Sequence, residues 1–381
     1  LVTAISTMLA TGGSAVIMRK AGQQKAQEAN EDFTFLIAVN VAVGLIMSGL
    51  GYLVMDRLFG SMNLSPAVAG YCRIYLSRYL IFTVPILLMN NFTLYMIAAG
   101  KSALSMVCSI TGGILNIVLD YVFISILDMG IAGAAIATGL GYSVTAVAGL
   151  VIFSKKDCLL HFVKPVCRIR TLISAASNGS SEMAALVTGI VTMMFNWTML
   201  KYVGENGVAA ITIIMYVLMF ATSLYTGYSY GVAPMISFYY GEQNQDKLKK
   251  LIRLSMKIIG FIGAAALIVS LAVTEPLVAI FARPDNPVYG LAVTGNRICS
   301  SALVFIGFNV FASGMFTALS NGLVSAVLAF SRSFVFMVAA MLILPAILGV
   351  TGAWLATPAA EAAAFLLSAV MFIKYRKKYQ Y

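Results

Sequence analysis

Residues 130–138 read Gly-Ile-Ala-Gly-Ala-Ala-Ile-Ala-Thr, and residues 349–357 read Gly-Val-Thr-Gly-Ala-Trp-Leu-Ala-Thr. Gly130, Gly133, Ala134, Ala137 and Thr138 thus return as Gly349, Gly352, Ala353, Ala356 and Thr357, 219 positions later. The same offset carries Gly12, Ile17 and Gly22 onto Gly231, Ile236 and Gly241, and Asp56 onto Glu275. Ala98 and Ser105 return as Ala318 and Ser325 at 220. Blocks kept in order at one spacing mark a duplication, and a duplicated chain is read half against half.

What is duplicated follows from composition. Charged residues make up 10% of the 381 positions, against about 25% in soluble domains. Hydrophobic residues make up 60%, and the mean hydropathy is +0.92. So few charges cannot cover so much apolar surface in water. Disorder is excluded too, because disordered chains are charge-rich and apolar-poor. Five scattered cysteines (Cys72, Cys108, Cys158, Cys167, Cys299) give no disulfide framework, and the lone His161 gives no metal cluster. The chain reads as an all-α polytopic membrane protein.

A spanning helix needs about 20 mostly apolar residues. About eleven runs qualify by that measure: 1–18, 33–58, 68–99, 102–126, 130–153, 171–200, 208–238, 247–282, 288–320, 322–348 and 352–373. Lys and Arg gather in 19–32, at Lys101, in 154–170, in 247–257 and in the tail 374–381. The intervening loops, 56–67, 127–129, 201–207, 283–290 and 349–351, are poor in them. This alternation places the basic loops and the C-terminus in the cytoplasm of a plasma-membrane protein. The net charge of +11 then belongs to an anionic membrane face, not to nucleic acid.

The repeat offset spans an even number of these runs, so the two halves are parallel repeats, an arrangement of secondary transporters. The expected lobes are 1–153 and 171–381, joined by a cytoplasmic linker at 154–170. The mate of 171–200 would fall before residue 1. The whole protein is therefore expected to hold about twelve spans in two six-helix bundles, the first helix being absent here.

In this order the residues resemble the multidrug and toxic compound extrusion family. The carriers are Gly12-Gly13-Ser14-Ala15 with Arg19 and Gly22, Pro85 with Asn90-Asn91, Gly100-Lys101, Leu115-Asn116-Ile117-Val118-Leu119-Asp120, the 130–138 stretch, and Gly231-Val232-Ala233-Pro234-Met235-Ile236-Ser237 with Tyr240-Gly241. The resemblance implies an exporter of drugs or cationic amphiphiles, driven by inward proton or sodium flow through a cleft that opens alternately to each side. It implies no cofactor and a monomer. The alternative is a flippase for lipid-linked precursors, or a narrow metabolite exporter of the same superfamily. A basic cleft would favour the flippase, and only Arg332 lies well inside the bundle.

Ionisable groups inside a bilayer are expensive and each needs a reason. Glu182 is expected about 17 Å along its helix from Thr171, near mid-depth. It would share a stripe with Asn178, Ala185, Gly189, Thr192 and Asn196. Desolvation there would let the carboxyl load and release a proton near neutral pH. The alternative is a protonated Glu bonded to a neighbouring helix. Asp120 follows Asn116 by one turn, on a face with Ser105, Ser109 and Gly112. This Asn-x-x-x-Asp pair resembles the family's proton site, whose usual Asp partner on the first helix this chain lacks. An interfacial Asp capping the turn is the other reading. Glu182 and Asp120 are also the two candidate sodium ligands.

Glu361 and Arg332, at similar depth on adjacent helices, read first as a buried ion pair and second as coupling residues. Asn90 and Asn91 follow Pro85, which can kink its helix. They read as helix–helix glue or as cation ligands. A stripe through Thr212, Tyr216, Met219, Ser223, Thr226 and Tyr230, with Met194 and Phe195, could form an adaptable wall for organic cations. Asp56 and Glu275 read as solvated helix ends. No P-loop or His-Glu-x-x-His motif occurs, and a single histidine makes catalytic triads improbable, so the chain does not read as an enzyme.

Overall fold

The computed structural model describes residues 2–61 and 65–381. Residues 62–64 of the expected outer loop lie outside the described residues, as does the side chain of the stripe member Ala185. The chain separates into two compact units, Leu1–Gly179 and Ser180–Tyr381.

The first unit holds α1 (Val2–Gly22), α2 (Ala26–Ser61), α3 (Pro66–Ile81), α4 (Thr83–Ala98), α5 (Ser102–Asp120), α6 (Gly130–Phe153) and α7 (Ile169–Asn178). The second holds α8 (Thr188–Val203), α9 (Glu205–Gly241), α10 (Gln245–Ala272), α11 (Thr274–Phe281), α12 (Pro287–Cys299), α13 (Leu303–Ala318), α14 (Gly322–Phe330) and α15 (Met337–Tyr379). A tight 3-10 segment, Ser180–Val187, precedes α8, and wide π turns follow α5 (Tyr121–Ile126) and α14 (Ser331–Phe336). No strand occurs among the described residues.

Eight helical runs are long and apolar enough to cross a membrane, or nine if the bent pair α3–α4 is one span. The run Gly322–Tyr379 counts once but breaks at Gly349 (φ 58°, ψ −133°), between the expected spans 322–348 and 352–373.

Two expected helices are broken. The run 68–99 bends by 56° at Phe82. Pro85 therefore sits in the first turn of α4, where its missing N–H would have had no helical partner, rather than at a mid-helix kink. The run 171–200 divides into α7, the 3-10 segment and α8. Close approach to α1 explains the break. A Cβ on Gly179 would lie 1.8 Å from the Met8 carbonyl oxygen, and one on Gly12 would lie 1.9 Å from that of Ala175. The end of α7 is thereby clamped to α1 at residues that have no side chain.

The duplication is visible in backbone geometry. The left-handed residues Gln24 (φ 61°), Gly100 (φ 77°) and Gly130 (φ 52°) have counterparts at Gln243 (φ 59°), Ser320 (φ 58°) and Gly349 (φ 58°), at the offsets read from the sequence. Ser105 Oγ donates to the Thr93 carbonyl at 3.0 Å, and Ser325 Oγ donates to that of Ser313 at 2.8 Å. Asp56 pairs with Arg73 at 2.8 Å, and Glu275 with Arg297 at 2.7 Å. All four of these side chains are exposed, so the pairs contribute little stability.

Residues 154–178 belong to the first unit. Phe162 stacks on Phe33 at 5.3 Å. The His161 and Val163 amides donate to Asn30 Oδ1 at 3.0 Å and Thr34 Oγ1 at 3.1 Å. Asp32, with no exposed surface, lies at the centre. Lys20 Nζ contacts its Oδ2. Arg168 Nη1 reaches its Oδ1 at 3.1 Å and Thr171 Oγ1 does so at 3.2 Å. Arg168 Nη2 also meets Glu31 Oε2 at 2.6 Å. Burial alone would lower the basicity of the Arg168 guanidinium, but the Asp32 and Glu31 carboxylates raise it above its usual range.

Candidate functional site

The second unit concentrates its buried polar groups along α13. Asn309, Ser313 and Thr317 recur every four residues on a helix that is otherwise apolar, so they share one face. Asn309 Nδ2 donates to Glu361 Oε2 at 2.8 Å and to the Glu361 carbonyl at 2.9 Å. Ser368 Oγ donates to Asn309 Oδ1 at 3.1 Å. Arg332 Nε completes the group, 2.8 and 3.0 Å from the two Glu361 carboxylate oxygens. The Glu361 side chain is 5% exposed and that of Arg332 is 22% exposed. A charge so deeply buried is tolerable only with such partners.

Below this group runs a chain of hydroxyls. Ser313 Oγ lies 2.9 Å from Ser325 Oγ, which lies 2.8 Å from Thr317 Oγ1. Thr317 Oγ1 in turn is 3.5 Å from Ser181 Oγ. Glu182 follows Ser181 in the 3-10 segment, where its Oε2 accepts from Tyr230 Oη at 3.2 Å. The expected stripe through Asn178, Glu182 and Asn196 does not form. Asn178 is buried on α7 in the first unit, while the 3-10 segment packs on α14 in the second. A 3-10 helix has three residues per turn rather than 3.6, so the assumed periodicity fails there.

Asn196 instead joins Thr192, Phe195, Tyr216 and Met219 around a cavity of about 210 Å³ between α8 and α9. Tyr216 stacks on Phe281 with ring centres 6.5 Å apart. Met194 packs against the lobe core. The Thr226 hydroxyl is turned back onto the Thr222 carbonyl at 3.0 Å. Tyr230 meets Glu182, as described.

The first unit joins α1, α2 and α4 through neutral groups. Asn91 Nδ2 donates to Asn40 Oδ1 at 3.0 Å, and Asn40 Nδ2 returns a bond to Asn91 Oδ1 at 3.2 Å. Asn91 Nδ2 also reaches Ser6 Oγ at 3.3 Å. These bonds tie α1, α2 and α4 together. Asn90 Nδ2, by contrast, is buried without a hydrogen-bond partner among the described residues, as is Asp120 Oδ1. Asn116 Nδ2 meets Thr138 Oγ1 at 3.5 Å, at the edge of a cavity of about 230 Å³.

The position of that cavity is instructive. Its wall includes Met89, Gly112 and Tyr142. At the offset of 220, Asn309 and Arg332 correspond to Met89 and Gly112; at 219, Glu361 corresponds to Tyr142. The second unit therefore fills with an ion pair and an amide the place where the first unit keeps a hollow. Among the described residues no group of three or more His, Cys, Asp or Glu gathers to hold a metal ion.

Sequence reasoning missed Asp32 and Asn309. Asp32 ends a mixed-charge loop, with Glu28 and Glu31 beside Arg19, Lys20 and Lys25, at the foot of an apolar run. Asn309 begins a four-residue polar spacing on an apolar helix. Either pattern is a usable signal.

Comparisons with known proteins agree with this architecture. The MatE family profile matches residues 1–122 and 182–343. The Multidrug export protein MepA of Staphylococcus haemolyticus is 24% identical over 379 residues, covering 98% of this chain and 82% of that protein. The MepA of Staphylococcus aureus strain bovine RF122 is 22% identical, covering 97% and 82%. Among solved structures, a MATE protein in complex with MaL6 superposes with a TM-score of 0.94 at 22% identity, over 100% of this chain and 86% of that one. An outward-facing multidrug resistance MATE transporter of the MOP superfamily gives 0.93 at 22% identity, over the same shares. With the profile spanning most of a duplicated, helical, membrane-spanning chain, this protein belongs to the MatE family of membrane transporters.

Proposed function

We propose that the chain is a secondary active exporter of small amphiphilic or cationic molecules, working by alternating access in the plasma membrane with its C-terminus in the cytoplasm. The relatives named multidrug export proteins support the substrate class. The observation that carries the coupling is Glu182. Its carboxylate has one hydrogen-bond partner among the described residues, Tyr230, within a lobe built from apolar helices. Attraction between opposite charges rises steeply as the effective dielectric falls. One carboxylate in such a setting holds one cation at a time: a proton, a sodium ion or the ammonium of a substrate. Mutual exclusion at a shared acid is the thermodynamic requirement of antiport, because each cation must favour a different state of the carrier. The unpartnered Asp120 oxygen supports a second coupling position in the first lobe.

The test is ethidium efflux from cells expressing wild type beside Glu182→Gln at equal expression, with an uncoupler and with sodium depletion in parallel. Wild-type efflux that the variant loses by about tenfold or more supports the reading, and the treatment that abolishes efflux names the ion. Wild-type cells that retain dye under every gradient would overturn it in favour of the flippase or a narrow metabolite exporter.

A further inference from the structure

The feet of α2 and α10 correspond at the offset of 219, and their charges are inverted. Residues 23–38 hold one cation, Lys25, and three acids, Glu28, Glu31 and Asp32. Residues 242–257 hold five cations, Lys247, Lys249, Lys250, Arg253 and Lys257, and two acids, Glu242 and Asp246. The chain itself answers the first foot. Lys20 and Lys25 reach Glu28, Lys20 and Arg168 reach Asp32, and Arg168 reaches Glu31. At the second foot Lys247 pairs with Glu242. Lys249, Lys250, Arg253 and Lys257 have no carboxylate within ion-pair distance among the described residues.

Three of these cations stand in a line. Lys250, Arg253 and Lys257 are spaced by three and four residues, so they share one face of α10. Leu254, Phe261 and Ile268 continue that face and are 53%, 75% and 66% exposed. The buried residues Leu248, Ile252, Ser255 and Ile259 lie on the opposite face, so the line points away from the lobe. Counted back from Ala272, the roughly 20 residues that cross the hydrocarbon end at Arg253. Lys250 lies outside this boundary and Lys257 one turn inside it, about 10 Å further along the axis. A lysine at that depth lifts its ammonium to the headgroups. The three charges thus gather at the level of lipid phosphate. The corresponding residues of α2 are Glu31, Thr34 and Ala38. There Glu31 is taken by Arg168 and Thr34 by the Val163 amide.

We infer that Lys250, Arg253 and Lys257 form a docking site for the headgroup of an anionic phospholipid of the phosphatidylglycerol kind. Arg253 offers a fork to two phosphate oxygens, and the lysines add point charges on either side of it. Leu254 and Phe261, on the same exposed face, give the acyl chains an apolar seat. A free phosphate would leave that seat unused, so the occupant is a lipid. Phosphatidylcholine carries its own cation beside the phosphate and gains little from three more. The site requires only that α10 cross a bilayer, as its length and hydropathy provide, whatever the protein transports.

Native mass spectrometry of the purified full-length protein tests this, with equimolar phosphatidylglycerol and phosphatidylcholine of matched acyl chains in the detergent micelle. Wild type is expected to retain phosphatidylglycerol over phosphatidylcholine by about tenfold or more, the order expected of three basic residues at a lipid surface. Lys250→Gln/Arg253→Gln/Lys257→Gln should bring the ratio close to one. All three side chains are exposed, so the fold should hold, and a thermal midpoint near that of wild type checks it. Lys374→Gln/Lys377→Gln/Lys378→Gln removes the same charge from the tail and should leave the preference in place. Equal retention of the two lipids by wild type overturns the inference without recourse to any variant, and leaves the cations to an acidic protein segment. A preference that survives in the α10 variant also overturns it. So does one that falls as far in the tail variant, because it would then follow net charge and not this site.

Discussion

The two lobes share a plan and differ in what they bury. The first ties α1, α2 and α4 together through Ser6, Asn40 and Asn91, which are neutral groups. The second ties α13, the π turn and α15 together through Asn309, Arg332 and Glu361. The first leaves a hollow where the second places its ion pair. The lobe ends reverse the contrast. Phe162, in the segment that closes the first unit, corresponds at the offset of 219 to Tyr381, which ends the second. Around Phe162 the segment is fixed by charges that converge on Asp32. Around Tyr381 it is fixed by rings, with Tyr379 at 6.4 Å and Phe372 at 5.6 Å, and by the bond from Asn321 to Tyr379. Duplication preserved the backbone geometry and left each lobe free to choose how its interior polar groups are satisfied.

Arg332→Ala should have the largest effect, because it leaves Glu361 buried without its counter-charge, at a cost of about 3–5 kcal/mol. Asn91→Ala, in the neutral network, should cost about 1–3 kcal/mol. Thermal midpoints of the two purified variants check the order, and a larger loss for Asn91→Ala would erase the contrast between the lobes. Asp32→Asn should cost about 3 kcal/mol and should speed amide hydrogen exchange across 154–171. Exchange in 374–381 should be unchanged, since the position corresponding to Asp32 is the apolar Leu251. Faster exchange in both segments would mean that the pins are not separate. The smallest effects sharpen the account of the hollow. A Cβ on Gly112 would lie 2.5 Å from the Gly141 carbonyl oxygen, whereas one on Gly113 meets nothing within 4 Å. Gly112→Ala should therefore cost about 1–3 kcal/mol, and Gly113→Ala should stabilise by up to about 1 kcal/mol through helix propensity. Equal shifts in the midpoints would place the helix contact elsewhere.

Much of this was legible before any coordinates. Unbroken apolar runs of about 20 residues demand membrane helices, because a helix satisfies its backbone groups within its own segment. The repeat was legible because glycines, left-handed turn residues and small contact residues are fixed by geometry and survive when the apolar surface drifts. The pairing of Arg332 with Glu361 was legible because two rare charges at one depth have few alternatives. The stripe through Asn178, Glu182 and Asn196 was misread, because an apolar run looks the same whether it is one helix or two joined by a 3-10 turn.

Composition and the 219-residue offset by themselves determined a helical, duplicated membrane protein and the rare polar residues that need an explanation. Tertiary structure decided where the helices break and which polar groups meet. The contact of Gly12 and Gly179 with facing backbone, the convergence on Asp32 and the bond from Asn309 to Glu361 join residues far apart in the chain. Local periodicity carries no information about such partners, since each is chosen by packing between helices and not within one.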